Sequence, residues 1–142
     1  MAKLPNQGNY QKDLEAILGR IEQEGRVPRL LIHSCCAPCS SYVLEYLSNW
    51  FSITVFYYNP NIYPQEEYFR RLREQEGLLA RMEFLHPVHL VAGEYDTAAF
   101  YAVAKGLEQE PEGGERCFAC YALRLRQAGA LAGAQGFDYF ST

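Results

Sequence analysis

Leu30-Leu31-Ile32-His33-Ser34-Cys35-Cys36-Ala37-Pro38-Cys39 is the stretch that decides the fold. Arg29 to His33 reads as a short buried strand, because consecutive aliphatic residues leave it no polar face. The chain then turns into a helix. Pro38 suits the first helical position, where its missing N–H would have no partner anyway. Val43, Leu44 and Leu47 carry that helix to about Asn49. A strand that passes through a turn into a helix N-terminus is half of a βαβ unit, and open parallel sheets bind their ligands at that end of the strands. Here the position holds three thiols instead of a glycine-rich phosphate loop.

Upstream, Leu14, Ile17, Leu18 and Ile21 recur at helical spacing among charged residues, and Gly25 and Pro28 close the segment. Downstream, residues 51–58 are rich in β-branched and aromatic side chains and read as a second strand, ended by Asn59-Pro60-Asn61. A long charged helix is predicted over 65–84, a third strand over 88–91 and a helix capped by Asp96. The loop Glu110-Pro111-Glu112-Gly113-Gly114 leads into Cys117 and a helix reaching about Leu131, and residues 137–141 begin a fourth strand. Strands alternating with helices predict an α/β parallel sheet flanked by helices. One domain over 1–142 is expected, with 1–28 as a helical lead-in. The chain stops on a strand with no covering helix after it, so a missing C-terminal segment is expected.

The 142 residues are 49% hydrophobic and 21% charged, enough to bury a core and unlike a disordered chain. A net charge of −4 argues against polyanion binding by the whole surface, so a nucleic-acid partner would need a local basic patch. No stretch approaches the roughly 20 apolar residues of a membrane span, and the polar start has no secretory apolar region. A cytoplasmic protein with reduced thiols is expected, without a membrane partner. Five cysteines, an odd number with two adjacent, make a poor disulfide framework.

Cys117-x-x-Cys120 opens a later helix, as the first three thiols do an earlier one. Helix N-termini favour thiolates, the metal-binding form. The two groups need only converge at the sheet edge to supply four or five sulfurs. By count, four thiolates suit tetrahedral zinc or a [4Fe–4S] cluster equally. A metal-free dithiol and inert buried cysteines are further readings, and spacing alone does not choose among them.

The segments Leu30 to Ser41, Phe56-Tyr57-Tyr58-Asn59-Pro60-Asn61-Ile62-Tyr63-Pro64 and Gly114-Glu115-Arg116-Cys117-Phe118-Ala119-Cys120-Tyr121 resemble, in order and separation, the signature of the QueH family of epoxyqueuosine reductases. The resemblance implies a HUP-type fold, related to the adenine nucleotide α-hydrolases, with a Cys-rich metal site at the C-terminal ends of the strands. It implies an oxidoreductase acting last in queuosine biosynthesis, removing the epoxide oxygen of epoxyqueuosine at the tRNA wobble position. It further implies a [4Fe–4S] cluster, a second mononuclear iron and no cobalamin. Carried over position by position, Cys35, Cys36, Cys117 and Cys120 would hold the cluster. Cys39 would hold the second iron, since the resemblance includes family members with Asp there and either side chain suits a ferrous ion. The partners implied are the modified tRNA and an electron donor, with the protein itself a monomer. The family pattern continues with further helices and a Cys-x-Cys that this sequence does not contain.

Such a reduction needs two electrons, two protons and a proton donor. Tyr57, Tyr58, Tyr63, Glu94 and Asp96 stand at predicted strand ends; Tyr58 and Glu94 are the chosen candidates, and N-capping accounts for Asp96. Aromatics in the Tyr57–Pro64 loop could stack an unpaired base, Tyr63 foremost. Arg70, Arg71 and Arg73 form the best basic patch for anticodon phosphates, although Glu66, Glu67 and Glu74 lie at ion-pair spacing. Arg116 could steady an anionic cluster, whereas His33 reads as a core histidine. Two other functions compete. A zinc-stabilised RNA-binding module would need only the thiols. A sulfur-relay tRNA enzyme of the same fold would need a phosphate loop that residues 34–38 lack.

Overall fold

The computed structural model describes residues 8–142; the start of the chain, Met1 to Gln7, lies outside them, as does that part of the expected lead-in. The elements run α1 (Tyr10–Glu24), β1 (Arg29–His33), α2 (Ala37–Leu47), β2 (Ser52–Tyr57), α3 (Gln65–Arg81), β3 (Val88–Ala92), α4 (Thr97–Ala104), α5 (Glu115–Ala134) and β4 (Tyr139–Ser141). The strands form one sheet in the order β3-β2-β1-β4, all neighbours parallel. β1 is therefore interior, which explains its unbroken aliphatic run.

Period-two alternation splits that run between two cores. Leu30 and Ile32 join Leu18 and Ile21 of α1, Leu44 of α2, and Ile53 and Val55 of β2 on one face. Leu31 faces the other way, with Phe56, Tyr58 and the small residues Ala128 and Ala132 of α5. Those alanines, with Gly129, let α5 lie close: a Cβ at Gly129 would stand 3.2 Å from the Phe140 ring. α3 covers the end of β2 through Tyr57, Ile62 and Tyr68.

Several predicted boundaries shift. Cys36 is the N-cap of α2 and Ala37 its first residue, so Pro38 is second, where it still sacrifices no helical hydrogen bond. Phe51 and Tyr58 fall just outside β2, and α3 stops at Arg81 because Met82 is extended. β4 begins at Tyr139; Phe137 is occupied beneath the Arg29 guanidinium, 4.1 Å from its ring centre. Asp138 ties β4 to β1: its carboxylate accepts from the Arg29 N–H at 2.9 Å and from Arg26 at 3.0 Å.

Candidate metal-thiolate site

The turn after β1 is held from several sides. Its first residue, Ser34, donates its N–H to the Phe56 carbonyl at 3.1 Å and accepts at its own carbonyl from Asn59 Nδ2 at 2.9 Å. Cys36 then adopts the extended backbone of an N-cap. Its sulfur makes no full capping hydrogen bond. Burial works against its thiolate, but the facing Cys39 thiol and N–H, the Cys35 thiol and Arg71 outweigh that and lower its pKa.

The neighbouring thiols behave differently. Burial, then proximity to Cys36, raises the pKa of Cys35, and the exposed Cys39 is raised because its proton is shared with Cys36. Cys120 is also raised, chiefly by burial. The expectation that helix N-termini lower these thiols therefore fails for Cys35, Cys39 and Cys120. Desolvation and like neighbours exceed the dipole there, whereas the Cys36 thiol is lowered.

α5 brings the second pair. Cys117 Sγ accepts from the Gly113 N–H at 3.2 Å, and Cys120 is buried one turn further on. Arg124, one more turn along, is the residue that sequence reasoning missed. It lies in the electrostatic reach of Cys35, Cys120 and His33, so one guanidinium links the two cysteine groups. Its visible signal is the spacing Cys117, Cys120, Arg124, which places all three on one helical face. A cavity of about 570 Å³ opens beside them, bordered by His33, Cys35, Cys39, Val43, Tyr121 and Arg124.

As they stand, no three Cys, His, Asp or Glu side chains among the described residues are arranged to hold a metal ion. All five thiols are free, and their donor chemistry suits an iron–sulfur centre. Cys35, Cys36 and Cys39 sit within one turn, and Arg124 is shared between that turn and Cys120.

The proposed acid–base residues separate clearly. Tyr58 is buried, and burial, then Asp96, Cys120 and Glu94, raises its pKa. That set draws Tyr58, Glu94 and Cys120 into one neighbourhood. Tyr57 is not available: its hydroxyl donates to the Tyr68 carbonyl at 2.8 Å inside the core. Asp96 caps α4 by accepting from the Ala99 N–H. His33 Nε2 meets the Tyr58 carbonyl at 2.7 Å, and its Nδ1 meets Thr142 Oγ1 at 3.4 Å, so it is a satisfied buried histidine at the cavity wall.

The nucleic-acid candidates are more scattered. Tyr63 is 79% exposed, but Asn59, Pro60 and Ile62 in the same loop are buried, which leaves one ring to stack. Arg70 and Arg71 both pair with Glu67, and Arg70 also with Glu74. Their charge is thus partly spent within α3, while Arg73 borders a shallow hollow with Gln65, Glu66 and Phe69. Arg116 turns from the thiols and donates to the Glu108 carbonyl at 3.1 Å.

The sequence profile described as epoxyqueuosine reductase QueH matches residues 30–142, the span from β1 to the end of β4. The chain belongs to the QueH family. It is 42% identical to the QueH of Staphylococcus epidermidis, over 100% of this chain and 62% of that protein. It is 37% identical to the Staphylococcus aureus QueH over 100% and 61%, and 38% identical to the Streptococcus pyogenes QueH over 97% and 55%. The chain thus spans about three fifths of the length of these QueH relatives. Among the described residues no helix is long and apolar enough to cross a membrane.

Proposed function

We propose that this chain carries the metal-thiolate half of an epoxyqueuosine reductase on a HUP-like sheet, acting in the cytoplasm on tRNA bearing epoxyqueuosine. The observation that supports this best is the charge common to the two cysteine groups: Cys35 and Cys120 both lie in the field of Arg124, and Cys35, Cys39 and Arg124 line one cavity. Cys35, Cys36, Cys117 and Cys120 would hold a [4Fe–4S] cluster, and Cys39 a second iron. When bound, that centre would relay the two electrons from an external reductant and supply the Lewis acidity that epoxide opening requires.

The chain's own residues do the rest. Replacing the epoxide by an alkene releases its oxygen as water, which takes two electrons and two protons. Tyr58 keeps its proton at neutral pH because its buried ring resists ionisation, and it stands near Cys120 with Glu94 behind it. Glu94 is exposed and so able to replenish that proton from solvent. Arg124 supplies the positive charge that favours thiolates at Cys35 and Cys120. Tyr63 is the exposed ring offered to the anticodon, with Arg73 and the partly paired Arg70 and Arg71 along α3 for its phosphates. An external reductant supplies the electrons.

Incubated anaerobically with a chemical reductant, the chain should convert epoxyqueuosine in tRNA to queuosine, and Cys39→Ala should abolish turnover. Unchanged conversion by Cys39→Ala would remove that thiol from the chemistry.

A further inference from the structure

Gln75 lies on α3, a helix whose inward stripe runs through Tyr68, Leu72 and Leu79, yet its amide is fully buried. Buried amides are retained where they are hydrogen-bonded. Here Nε2 donates to Ser40 Oγ at 3.0 Å, and that hydroxyl's proton goes on to the Ala37 carbonyl at 3.0 Å. On the other side Gln75 Oε1 accepts from Ser34 Oγ at 3.0 Å, the shorter of that hydroxyl's contacts; the Cys36 carbonyl is at 3.3 Å. Ser34 immediately precedes Cys35, and Ser40 immediately follows Cys39. One side chain from a different element therefore grips the cysteine turn at both ends.

We propose that Gln75 is a positioning residue that fixes the spacing and reactivity of Cys35, Cys36 and Cys39. This rests on reading the turn as half of the metal-thiolate site, although the grip itself is independent of any metal. An aliphatic residue would complete the stripe of α3 equally well, whereas a neutral amide can accept from one hydroxyl and donate to the other at once. Without it, Ser34 and Ser40 lose their common partner, and the turn loses its link to α3.

The test uses the reduced, metal-free chain, alkylated with N-ethylmaleimide and read cysteine by cysteine by peptide mass spectrometry. Cys117, on α5, serves as the internal reference. Gln75→Met should change the ratio of turn-thiol to Cys117 reactivity by about fivefold, the factor that corresponds to one lost hydrogen bond. Ser40→Ala should move the ratio in the same direction, and the double variant should go no further than Gln75→Met alone. Leu18→Ala, a destabilising change on α1 in the core that α2 and α3 also share, is no part of the hydrogen bonds between Gln75 and the two serines and should speed all the thiols together and leave the ratio unchanged. A ratio within about twofold of the parent in both Gln75→Met and Ser40→Ala, or an equal shift in Leu18→Ala, would overturn the proposal. Should Gln75→Met not fold, Ser40→Ala carries the comparison. Failure of the metal reading shows separately, as parent protein without iron, and leaves these ratios standing.

Discussion

At the scale of single residues, the cysteine turn shows how little the sulfur count says about ionisation. Within the turn, the Cys36 thiol is lowered while its neighbours Cys35 and Cys39 are raised, because the Cys39 and Cys35 thiols and the Cys39 N–H face it. Alanine at Cys39 removes its thiol but keeps its N–H, and Cys39 itself is exposed and outside the proposed cluster set. Cys39→Ala is therefore expected to retain most of the iron while losing turnover, checked by iron analysis beside the conversion assay. Asp138 offers a second residue-level prediction. The Arg29 N–H and then Arg26 hold its carboxyl below the usual range. A depressed folded-state pKa gives stability that is present above the unfolded value of about 4 and disappears as pH falls through the folded value. Asp138→Asn should thus lower thermal stability at pH 7 and flatten the loss between about pH 4 and pH 2, measured by melting curves against pH. Much of this residue-level detail is hidden from sequence. Cysteines and their spacing are visible, but Arg124 and Gln75 act through partners from other elements, and Tyr57 differs from Tyr58 only in the face to which the strand end turns it.

At the scale of elements, the hydrophobic pattern carried further. The aliphatic run 30–32 identified an interior strand, and apolar spacing found α1; both depend on periodicity alone. The boundaries that moved depend on contacts instead, such as Phe137 under Arg29. The arginines of α3 were legible as ion pairs from their spacing to Glu67 and Glu74. The Glu67 ion pairs lie at the helix surface, so Glu67→Gln should change stability little in denaturant titration. It should also free Arg71, leave Arg70 with Glu74 alone, and tighten binding to an anticodon stem-loop at low salt. Gly93, just after β3, is placed against the stacked Phe56 and Tyr58 rings: an added Cβ would lie 3.0 Å from Tyr58 and 3.1 Å from Phe56. Gly93→Ala should destabilise by about 1–3 kcal/mol and shift the Tyr58 ring, detectable as a changed tyrosine signal in near-ultraviolet circular dichroism.

At the scale of the whole molecule, one sheet edge gathers what the sequence distributes over more than eighty positions. The turn after β1 brings Cys35 and Cys39 to the cavity and α5 brings Arg124 to the same one, while Tyr58 after β2 and Glu94 after β3 lie in the electrostatic reach of each other, and Tyr58 in that of Cys120. The order β3-β2-β1-β4 accomplishes this by setting β1 in the interior, so that its turn opens between elements. Among the described residues no three metal-binding side chains are poised for one ion, so the proposed cluster would require the thiols to draw together. The most direct measurement is iron and acid-labile sulfide per chain after anaerobic purification. A brown protein with about four sulfides and four to five irons per chain is predicted. A colourless chain holding zinc and no labile sulfide would contradict an iron–sulfur site.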